Sequence, residues 1–395
     1  MSYDLKIFTE NVDAVAVNQI YTLMAQPPFN DSRVRIMPDV HIGTGCVVGF
    51  TATLGDKVIP NVIGVDIGCG MLTVELGKID IDLKALDDFI VENIPTGGNL
   101  RKGYSEVGFI KMLKCFDELR DLDRVYRSLG TLGGGNHFIE LDRDDEGNIY
   151  LIIHTGSRNL GLQVAKLYQQ KAVLACKGAA DAARQAAHDR LMAQGKAAEL
   201  QAELERITRE YASRTKTPAE YCYFEGDECE DYLHDMRMCQ DFASRNRKKI
   251  AEDIMKFLGV FKANAFETLH NFIDDEGIIR KGAIPAHKDQ IMLIPMNMRD
   301  GCLIVKGKGN EDWNNSAPHG AGRLVSRGEA KELFTEKEYK EAMQGIYTTS
   351  ANISTIDESP MAYKPMDEIV RLIEPTAEIV KIIKPIYNLK DSKRK

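Results

Sequence analysis

Apolar residues recur along this chain with two different periods, which predict a protein that mixes helices and strands. Helical spacing is found between residues 10 and 26, where Pro27 and Pro28 end the pattern. Residues 82–92 and 105–128 also have a mainly helical pattern. Alternating or continuous apolar runs predict strands at residues 47–53, 58–65, 71–76 and 291–305.

Two segments are predicted to be β-hairpins with histidines at their ends. In the first, residues 137–141 and 149–153 flank an acidic turn at 144–147, so that His137 and His154 face one another. In the second, residues 270–273 and 278–284 flank a similar turn at 274–277 and lead to His287. The spacing from His to His is the same in both, which fits an internal duplication and two unrelated hairpins equally well.

Residues 161–256 are rich in helix-forming residues, with Gly195 as the expected turn between two helices. The favoured interpretation is a helical hairpin that packs on the body or on a partner subunit. The alternative is an arm that grips a substrate. No linker is evident, so we expect an α+β fold with a single domain over residues 1–395 and a helical insertion at about 161–256. The tail from residue 392 is expected to be disordered.

Composition limits the possible functions. The 395 residues carry a net charge of −8, which argues against broad, non-specific nucleic-acid binding but allows a local basic pocket. Eight cysteines without a CxxC pair fit a reducing cytoplasm better than a disulfide framework. The sequence has no signal-peptide pattern and no apolar run of about 20 residues, so we expect a cytoplasmic protein without a membrane partner.

The most informative stretch is residues 65–71, where Asp66 and Cys69 lie three residues apart on a backbone with two glycines. They are expected at a strand end. His137, His154 and His270 follow in loops rich in Gly, Asn or Ser. A thiolate, a carboxylate and three imidazoles suit Zn, Mn, Fe or Co, with Zn favoured on the ligands alone. Five ligands exceed the need of one tetrahedral ion, so two ions bridged by the thiolate are expected, an arrangement that serves phosphoryl chemistry.

A further histidine, His319, lies between Pro318 and Gly320 and is expected to act as a nucleophile or acid–base group. Arg323 and Arg327 add positive charge near it. Upstream, Arg158 precedes a helix expected to start near Gly161, with Ser157 or Asn159 as its cap, which would form an anion site. The pattern therefore predicts a site prepared for phosphate.

The remaining histidines and cysteines are interpreted as structural. In a regular strand His137 and Glu140 would point to opposite faces, so a shared site requires a bulge or a late strand start. The histidines considered structural are His41, His188, His234 and His287. The cysteines considered small hydrophobes or inert surface thiols are Cys46, Cys115, Cys176, Cys222, Cys229, Cys239 and Cys302.

Taken in order, these motifs resemble the RtcB family of RNA-splicing ligases, and the resemblance runs from about residue 38 to residue 390. Members of that family join an RNA end with a 3′-phosphate or 2′,3′-cyclic phosphate to a 5′-hydroxyl end. They use GTP and Mn²⁺ through a covalent guanylyl-histidine. The motifs that carry the resemblance are residues 66–70, 133–140, 154–158, 270–271, 280–283 and 319–323.

The resemblance implies a role for each motif residue. The nucleophile is His319, and Arg158 matches an anion-binding Arg on the RNA side. Arg323 and Arg327 are also expected to contact RNA or phosphate, because of their charge near His319. The Mn²⁺ ligands are Asp66, Cys69, His137, His154 and His270, with Cys69 bridging two ions. The nucleotide contacts are Asn136, Glu140, Ser316, Gly320, Ala321, Gly322, Tyr363 and Lys390.

Some residues depart from the family pattern. Residues 295–300 replace a Gly- and Ser-containing loop near the nucleotide, and residues 313–318 replace a Ser/Cys-rich segment before the nucleophile. These departures suggest a divergent branch, for which RNA repair and tRNA splicing are both open. Two functions from other classes also stay open: a metal-dependent phosphoesterase acting on cyclic-phosphate RNA ends, with His319 as general acid, and a non-catalytic RNA-end binder.

Overall fold

The computed structural model describes residues 4–104 and 107–392. Short 3₁₀ turns lie between the helices and strands. The α-helices are α1 Ala14–Met24, α2 Pro60–Ile63, α3 Leu83–Asn93, α4 Leu122–Ser128, α5 Arg158–Ala193, α6 Leu200–Glu210, α7 Ala212–Lys216, α8 Asp227–Phe257, α9 Arg327–Leu333, α10 Glu336–Ala342 and α11 Met366–Leu372. The strands are β1 Leu5–Ile7, β2 Val34–His41, β3 Val48–Thr53, β4 Lys57–Val58, β5 Gly70–Gly77, β6 Phe138–Arg143, β7 Ile149–Thr155, β8 Phe224–Glu225, β9 Asn264–Leu269, β10 Asn271–Ile273, β11 Ile278–Lys281, β12 Ala283–Pro285, β13 Ile291–Asn297, β14 Gly301–Gly307, β15 Ser316–Pro318 and β16 Ala377–Lys390.

The centre of the protein is an antiparallel seven-stranded sheet in the order β13-β14-β16-β6-β7-β5-β9. The sheet curls until its two edge strands approach one another, where the Leu293 amide donates to the Thr268 hydroxyl over 3.1 Å. This curvature gathers the ends of β5, β6 and β7 at one rim. The predicted strands at 71–76 and 291–305 and the hairpin at 137–153 are confirmed within this sheet.

A second sheet of five strands, β1-β2-β3-β11-β10, lies beside it and contains the second predicted hairpin. Both hairpins use the same turn: Asp144 accepts backbone N–H bonds from residues 146 and 148, and Asp274 from residues 276 and 278. The largest apolar core lies between this second sheet and helices α1, α2, α5 and α8. Another core lies where α3 and α8 cover the seven-stranded sheet. The expected α+β fold with central sheets is confirmed.

The helix-rich segment has two parts with different environments. Helices α5 and α6 form the predicted hairpin, and Gly195 makes the turn with a positive φ of 70°. Beyond residue 177, α5 and α6 are largely exposed and carry ion pairs such as Arg206–Glu203. Helix α8 instead packs on the seven-stranded sheet, with Asn246 and Arg247 fully buried. The segment predicted as an insertion thus includes a helix that supports the core.

Two local predictions were wrong, and a third falls mostly on residues that the structure does not describe. Residues 58–65 form the end of β4 and the short helix α2, because Pro60 starts a helical turn at its first position. Residues 107–128 contain two 3₁₀ turns, at Gly108–Met112 and Phe116–Glu118, and only the short helix α4. The expected disorder from residue 392 falls mostly on residues 393–395, which lie outside the described ranges. Within those ranges, no helix is both long and apolar enough to cross a bilayer.

Candidate functional site

Asp66 and Cys69 lie on the tight loop between α2 and the first residue of β5. The Cys69 amide donates to the Asp66 carbonyl over 3.2 Å, and Gly68 adopts a φ of 68° that favours glycine. The loop was expected at a strand end, and it instead precedes a strand. Gly156 makes room for the Asp66 carboxylate, because a Cβ at that position would collide with it.

The three histidines converge on the Cys69 thiol. Its Sγ lies 3.4 Å from Nε2 of His137 and 3.4 Å from Nε2 of His154. Nε2 of His137 lies 2.9 Å from the Asp66 carboxylate, and the rings of His154 and His270 lie 5.1 Å apart. Two groups of ligand atoms result, one from Asp66, Cys69 and His137 and the other from Cys69, His154 and His270. Because both groups include Cys69, the donor set fits two ions that share a thiolate.

His137 and Glu140 can serve one site because strand β6 starts after His137. Strand β6 begins at Phe138, so His137 belongs to the preceding loop and is free to turn toward Cys69. Its Nδ1 bonds to the Leu132 carbonyl over 3.0 Å, which fixes the ring and leaves Nε2 for the ligand set. Glu140 then faces the neighbouring cavity from the same strand.

Two buried side chains of α8 hold the metal-site loops together. Arg247 donates to the carbonyls of Gly68 and Thr155 over 3.0 and 2.8 Å. The Asn246 amide oxygen accepts from the Gly130 amide over 2.6 Å, and its nitrogen donates to the Gly156 carbonyl over 3.2 Å. One helix therefore sets the relative positions of three ligand-bearing loops.

The protonation states around Cys69 follow from burial and neighbouring charge. Burial lowers the pKa of His154 and His270, which keeps both imidazoles neutral, as ligands must be. Burial raises the pKa of Asp66, but the hydrogen bond to His137 and the charge of the nearby Arg158 outweigh this and hold the pKa below its usual range. Burial and Asp66 raise the pKa of the Cys69 thiol, a shift that a bound cation would reverse.

His319 lies beside the ligand set and is oriented by Asp39. Nδ1 of His319 lies 2.7 Å from Oδ2 of Asp39, which also accepts the His319 backbone N–H over 3.1 Å. Asp39 is fully buried. The His319 ring lies 4.8 Å from that of His270. A carboxylate on Nδ1 selects the tautomer in which Nε2 carries the free lone pair.

Next to His319 opens a cavity with about 730 Å³ of empty space, part of which is open to solvent. The site residues expected from the sequence that line it are Asn136, Glu140, His154, His319, Gly320, Ala321, Gly322, Arg323, Arg327, Tyr363 and Lys390. Met296, Asn297 and Met298, from the divergent 295–300 loop, also line it.

The cations of this cavity are gathered around Glu358. Its carboxylate pairs with Lys390 at 3.0 Å and with Arg327 at 2.5 Å, and it accepts the Tyr363 hydroxyl over 2.8 Å. Burial raises the pKa of Glu358, but these cations outweigh it and lower the pKa to about 2. The guanidinium of Arg323 lies 5.2 Å from the centre of the Tyr363 ring.

Two of the residues predicted to contact nucleotide, RNA or phosphate lie outside the cavity. The Ser316 hydroxyl is fully buried, accepts from Arg280 over 2.9 Å and donates to the Asn314 carbonyl, so it is committed to the fold. Arg158 lines a separate depression with residues 97–100, Arg124 and Asn159. It has a strained φ of 55°, and its guanidinium fills the space left by the missing Cβ of Gly133.

The predicted cap of the following helix was wrong. Helix α5 begins at Arg158 instead of near Gly161, and neither Ser157 nor Asn159 makes a side-chain capping bond. The Ser157 hydroxyl is buried against Gly161, and Asn159 accepts from Gln163 over 2.7 Å. The unpaired helix N–H groups still lie near Arg158.

Sequence reasoning did not identify several functional positions. Asp39, Glu358 and Asn388 were not singled out, and His41, interpreted as structural, lines the cavity. Burial lowers the pKa of His41 to about 4. The loop at residues 37–45 offered a signal, since its Gly-punctuated run carries both an Asp and a His. The idea of surface thiols was also wrong, because all eight cysteines are buried and free.

Comparisons with known proteins identify the family of the chain. A family model described as tRNA-splicing ligase RtcB matches residues 19–118 and 105–391. The RNA-splicing ligase RtcB of Escherichia coli K12 is 28% identical over 410 aligned residues, covering 93% of this chain and 92% of that protein. The tRNA-splicing ligases RtcB of Aeropyrum pernix and Methanococcus maripaludis are 27% and 26% identical, covering 85% and 92% of this chain and 83% and 88% of theirs. Since the match spans nearly the whole chain, the protein belongs to the RtcB family of RNA ligases.

Proposed function

We propose that this protein is a GTP- and Mn²⁺-dependent ligase that joins RNA ends with a 3′-phosphate or 2′,3′-cyclic phosphate to 5′-hydroxyl ends through guanylylated His319. One observation carries the proposal: His319, fixed by Asp39, lies beside the two-group ligand set and lines a cavity that is partly open to solvent. RNA repair and tRNA splicing both fit this chemistry.

His319 has the arrangement of an activated nucleophile. Asp39 accepts a hydrogen bond from the Nδ1–H of His319, so the Nε2 lone pair is free to attack the α-phosphorus of GTP and expel pyrophosphate. The N–P bond forms as the bond between the α-phosphorus and the bridging oxygen breaks. Asp39 stabilises the positive charge that develops on the ring. The GMP group then passes to the RNA 3′-phosphate, freeing His319, and attack by the 5′-hydroxyl expels GMP.

The ligand set fits the Mn²⁺ ions, although its thiolate also suits zinc. Asp66, Cys69 and His137 would hold one ion, and Cys69, His154 and His270 the other. When bound, such ions withdraw charge from phosphate oxygens and lower the pKa of water for opening a cyclic phosphate. The protein contributes neutral imidazoles, fixed by the loops that Arg247 and Asn246 hold.

The nucleotide is proposed to occupy the cavity beside His319. Gly320, Ala321 and Gly322 follow the nucleophile and let a nucleotide approach the backbone. Tyr363 offers an aromatic face, with Glu140 and Lys390 as polar contacts. The RNA is proposed to enter from the other side of the ligand set, where Arg158 lines the second depression. Since Cys69 must stay reduced, we also infer a reducing compartment, the cytoplasm.

Incubation with GTP and Mn²⁺ followed by intact mass measurement tests the proposal. Wild-type protein should gain the mass of one GMP group, and His319→Ala should gain none while keeping its metal content. His287→Ala is a matched control, because His287 lies outside the cavity and the ligand set. A normal adduct on His319→Ala would place the nucleophile at another residue. Cleavage of cyclic phosphate without GTP would favour a phosphoesterase, and RNA binding without either reaction a passive end binder.

A further inference from the structure

Behind the nucleotide cavity, two carboxyl groups and a thiol meet in the protein interior. Glu140 and Asp142 are on the same face of β6, and Cys302 reaches them from β14. Their ligand-type atoms lie within 4.8 Å of one another, and all three side chains are at most 2% exposed. The apolar residues around Cys302 include Phe138, Ile304 and Ile383. Two adjacent carboxylates in such a setting cost too much free energy to both carry charge.

Burial raises the pKa of both carboxyls, and their hydrogen-bond partners favour the charge on Glu140 and the proton on Asp142. Glu140 accepts from the Asn388 amide and from the Cys302 thiol at 3.6 Å, and the Lys390 charge also favours its ionised form. Neither oxygen of Asp142 accepts a hydrogen bond from a donor among the described residues. If Asp142 holds a proton, it becomes a donor, and its only nearby acceptor of high basicity is the Glu140 carboxylate.

We propose that Asp142 is a protonated positioning residue that donates to Glu140 and thereby fixes the Glu140 carboxylate as the acceptor that selects guanine over adenine. Glu140 lines the cavity, whereas Asp142 does not. Guanine offers N–H donors at N1 and N2, and adenine offers a lone pair at N1, which a carboxylate repels. The selection of guanine by Glu140 rests on the proposed function, whereas the protonation of Asp142 is independent of it.

Charges from the surrounding elements agree with this assignment. Burial, the Glu140 charge and the bond to Glu140 raise the pKa of Asp142 well above its usual range. Burial raises the pKa of Cys302, so its thiol remains a donor. The ionisable groups that influence the pair are Cys302 on β14 and Lys390 on β16, and Lys390 acts on Glu140. A metal ion held by the same three residues is the competing occupant.

Two substitutions of Asp142 separate the roles of its proton and its shape. Asp142→Asn keeps a donor toward Glu140, so its preference for GTP over ATP in adduct formation should stay within about threefold of wild type. Asp142→Leu has similar bulk but no donor. Its preference should fall by about tenfold or more, through a higher KM for GTP with little change in kcat. Loss of preference in Asp142→Asn equal to that in Asp142→Leu would overturn the proposal.

Two measurements on the protein without nucleotide keep the test decisive if Asp142→Leu does not fold. Infrared spectroscopy at neutral pH should show the carbonyl stretch of a buried carboxylic acid in wild type, and Asp142→Asn should lack it. The metal content after Mn²⁺ loading should be equal in the two proteins. Absence of the band in wild type, or one metal ion fewer in Asp142→Asn, would overturn the proposal. Failure of wild type to form any adduct would instead refute the proposed function. The infrared result would still show whether Asp142 is protonated.

Discussion

The cavity beside His319 and the Arg158 depression both adjoin the Cys69 ligand set, and the cations in them have different partners. In the cavity, Arg327 and Lys390 pair with the buried Glu358 carboxylate. In the depression, Arg158 donates only to neutral groups, the Gly97 carbonyl at 3.0 Å and the Thr131 hydroxyl at 3.3 Å. Within residues 4–104 and 107–392, the Arg158 guanidinium forms no ion pair, and the Asp66 and Asp391 carboxylates act on it only through space.

This difference indicates which side is ready for an added phosphate. A guanidinium bound only by neutral oxygens keeps its charge for an incoming anion. A guanidinium already paired with a carboxylate gains less from a phosphate and serves to shape the cavity. The sequence analysis assigned Arg323 and Arg327 to phosphate together with Arg158. The structure separates them, because Arg323 and Arg327 line the cavity and contact Tyr363, Asp357 or Glu358.

The largest expected effect comes from the residue between the two regions. Cys69→Ala should lower the rates of both GMP-adduct formation and RNA joining. Loss of a residue that only hydrogen-bonds to a metal ligand lowers activity by about 10- to 100-fold, and the loss of Cys69 should exceed this. Metal content should fall with them. Cys239→Ala is the control, since this thiol is equally buried but lies in an apolar core. Full metal content and turnover in Cys69→Ala would rule out the shared thiolate.

Arg158→Ala should separate the two regions. RNA joining should fall by about 10- to 100-fold, because a charged hydrogen bond to phosphate is lost, while adduct formation with GTP changes by less than about threefold. Rates of both half-reactions would be measured on the same preparations. Arg209→Ala, which removes an exposed Arg on α6, is the control. Equal losses in the two half-reactions would assign Arg158 to the nucleotide.

Glu358→Gln tests the ion pairs of the cavity beside His319 through the pH dependence of the unfolding free energy. The pKa of Glu358 is lowered from 4.5 to about 2, so its ion pairs stabilise the fold above about pH 4.5 and are lost as the pH falls toward 2. At pH 7 the variant should lose on the order of 3 kcal/mol of unfolding free energy. Denaturant unfolding at several pH values would measure this. The gap to wild type should narrow below pH 4.5, and a gap independent of pH would contradict the ion-pair account. Glu332→Gln, at an exposed position, is the control.

The smallest effect is expected on the exposed helical hairpin. Arg206 pairs with Glu203 and Glu210 in solvent, where ion pairs contribute little. Arg206→Ala should therefore leave the Tm and both half-reactions unchanged within error. A selective loss of RNA joining would support the alternative that this hairpin grips the substrate, and it would add a third region to the comparison.

Residue pattern and chemistry were enough to predict the α+β class, both hairpins and the five candidate ligands that converge at Cys69. Periodicity reports local structure, and Asp66, Cys69 and the three His are chemically distinctive in glycine-rich loops. Family resemblance added the roles of His319 and the nucleotide contacts, most of which line one cavity. Residues 107–128 were predicted poorly because apolar spacing alone does not distinguish a helix from short 3₁₀ turns held by tertiary contacts.

Only the tertiary structure decided which groups touch. Asp39 meets His319 across 280 residues of sequence, and Glu358 meets Lys390 from a separate element. Ser316 looked suited to a nucleotide until Arg280 was found to occupy its hydroxyl. Charge and hydrogen bonding act through space over a few ångströms. The state of each carboxylate therefore depends on partners that chain folding brings together, and local sequence does not specify them.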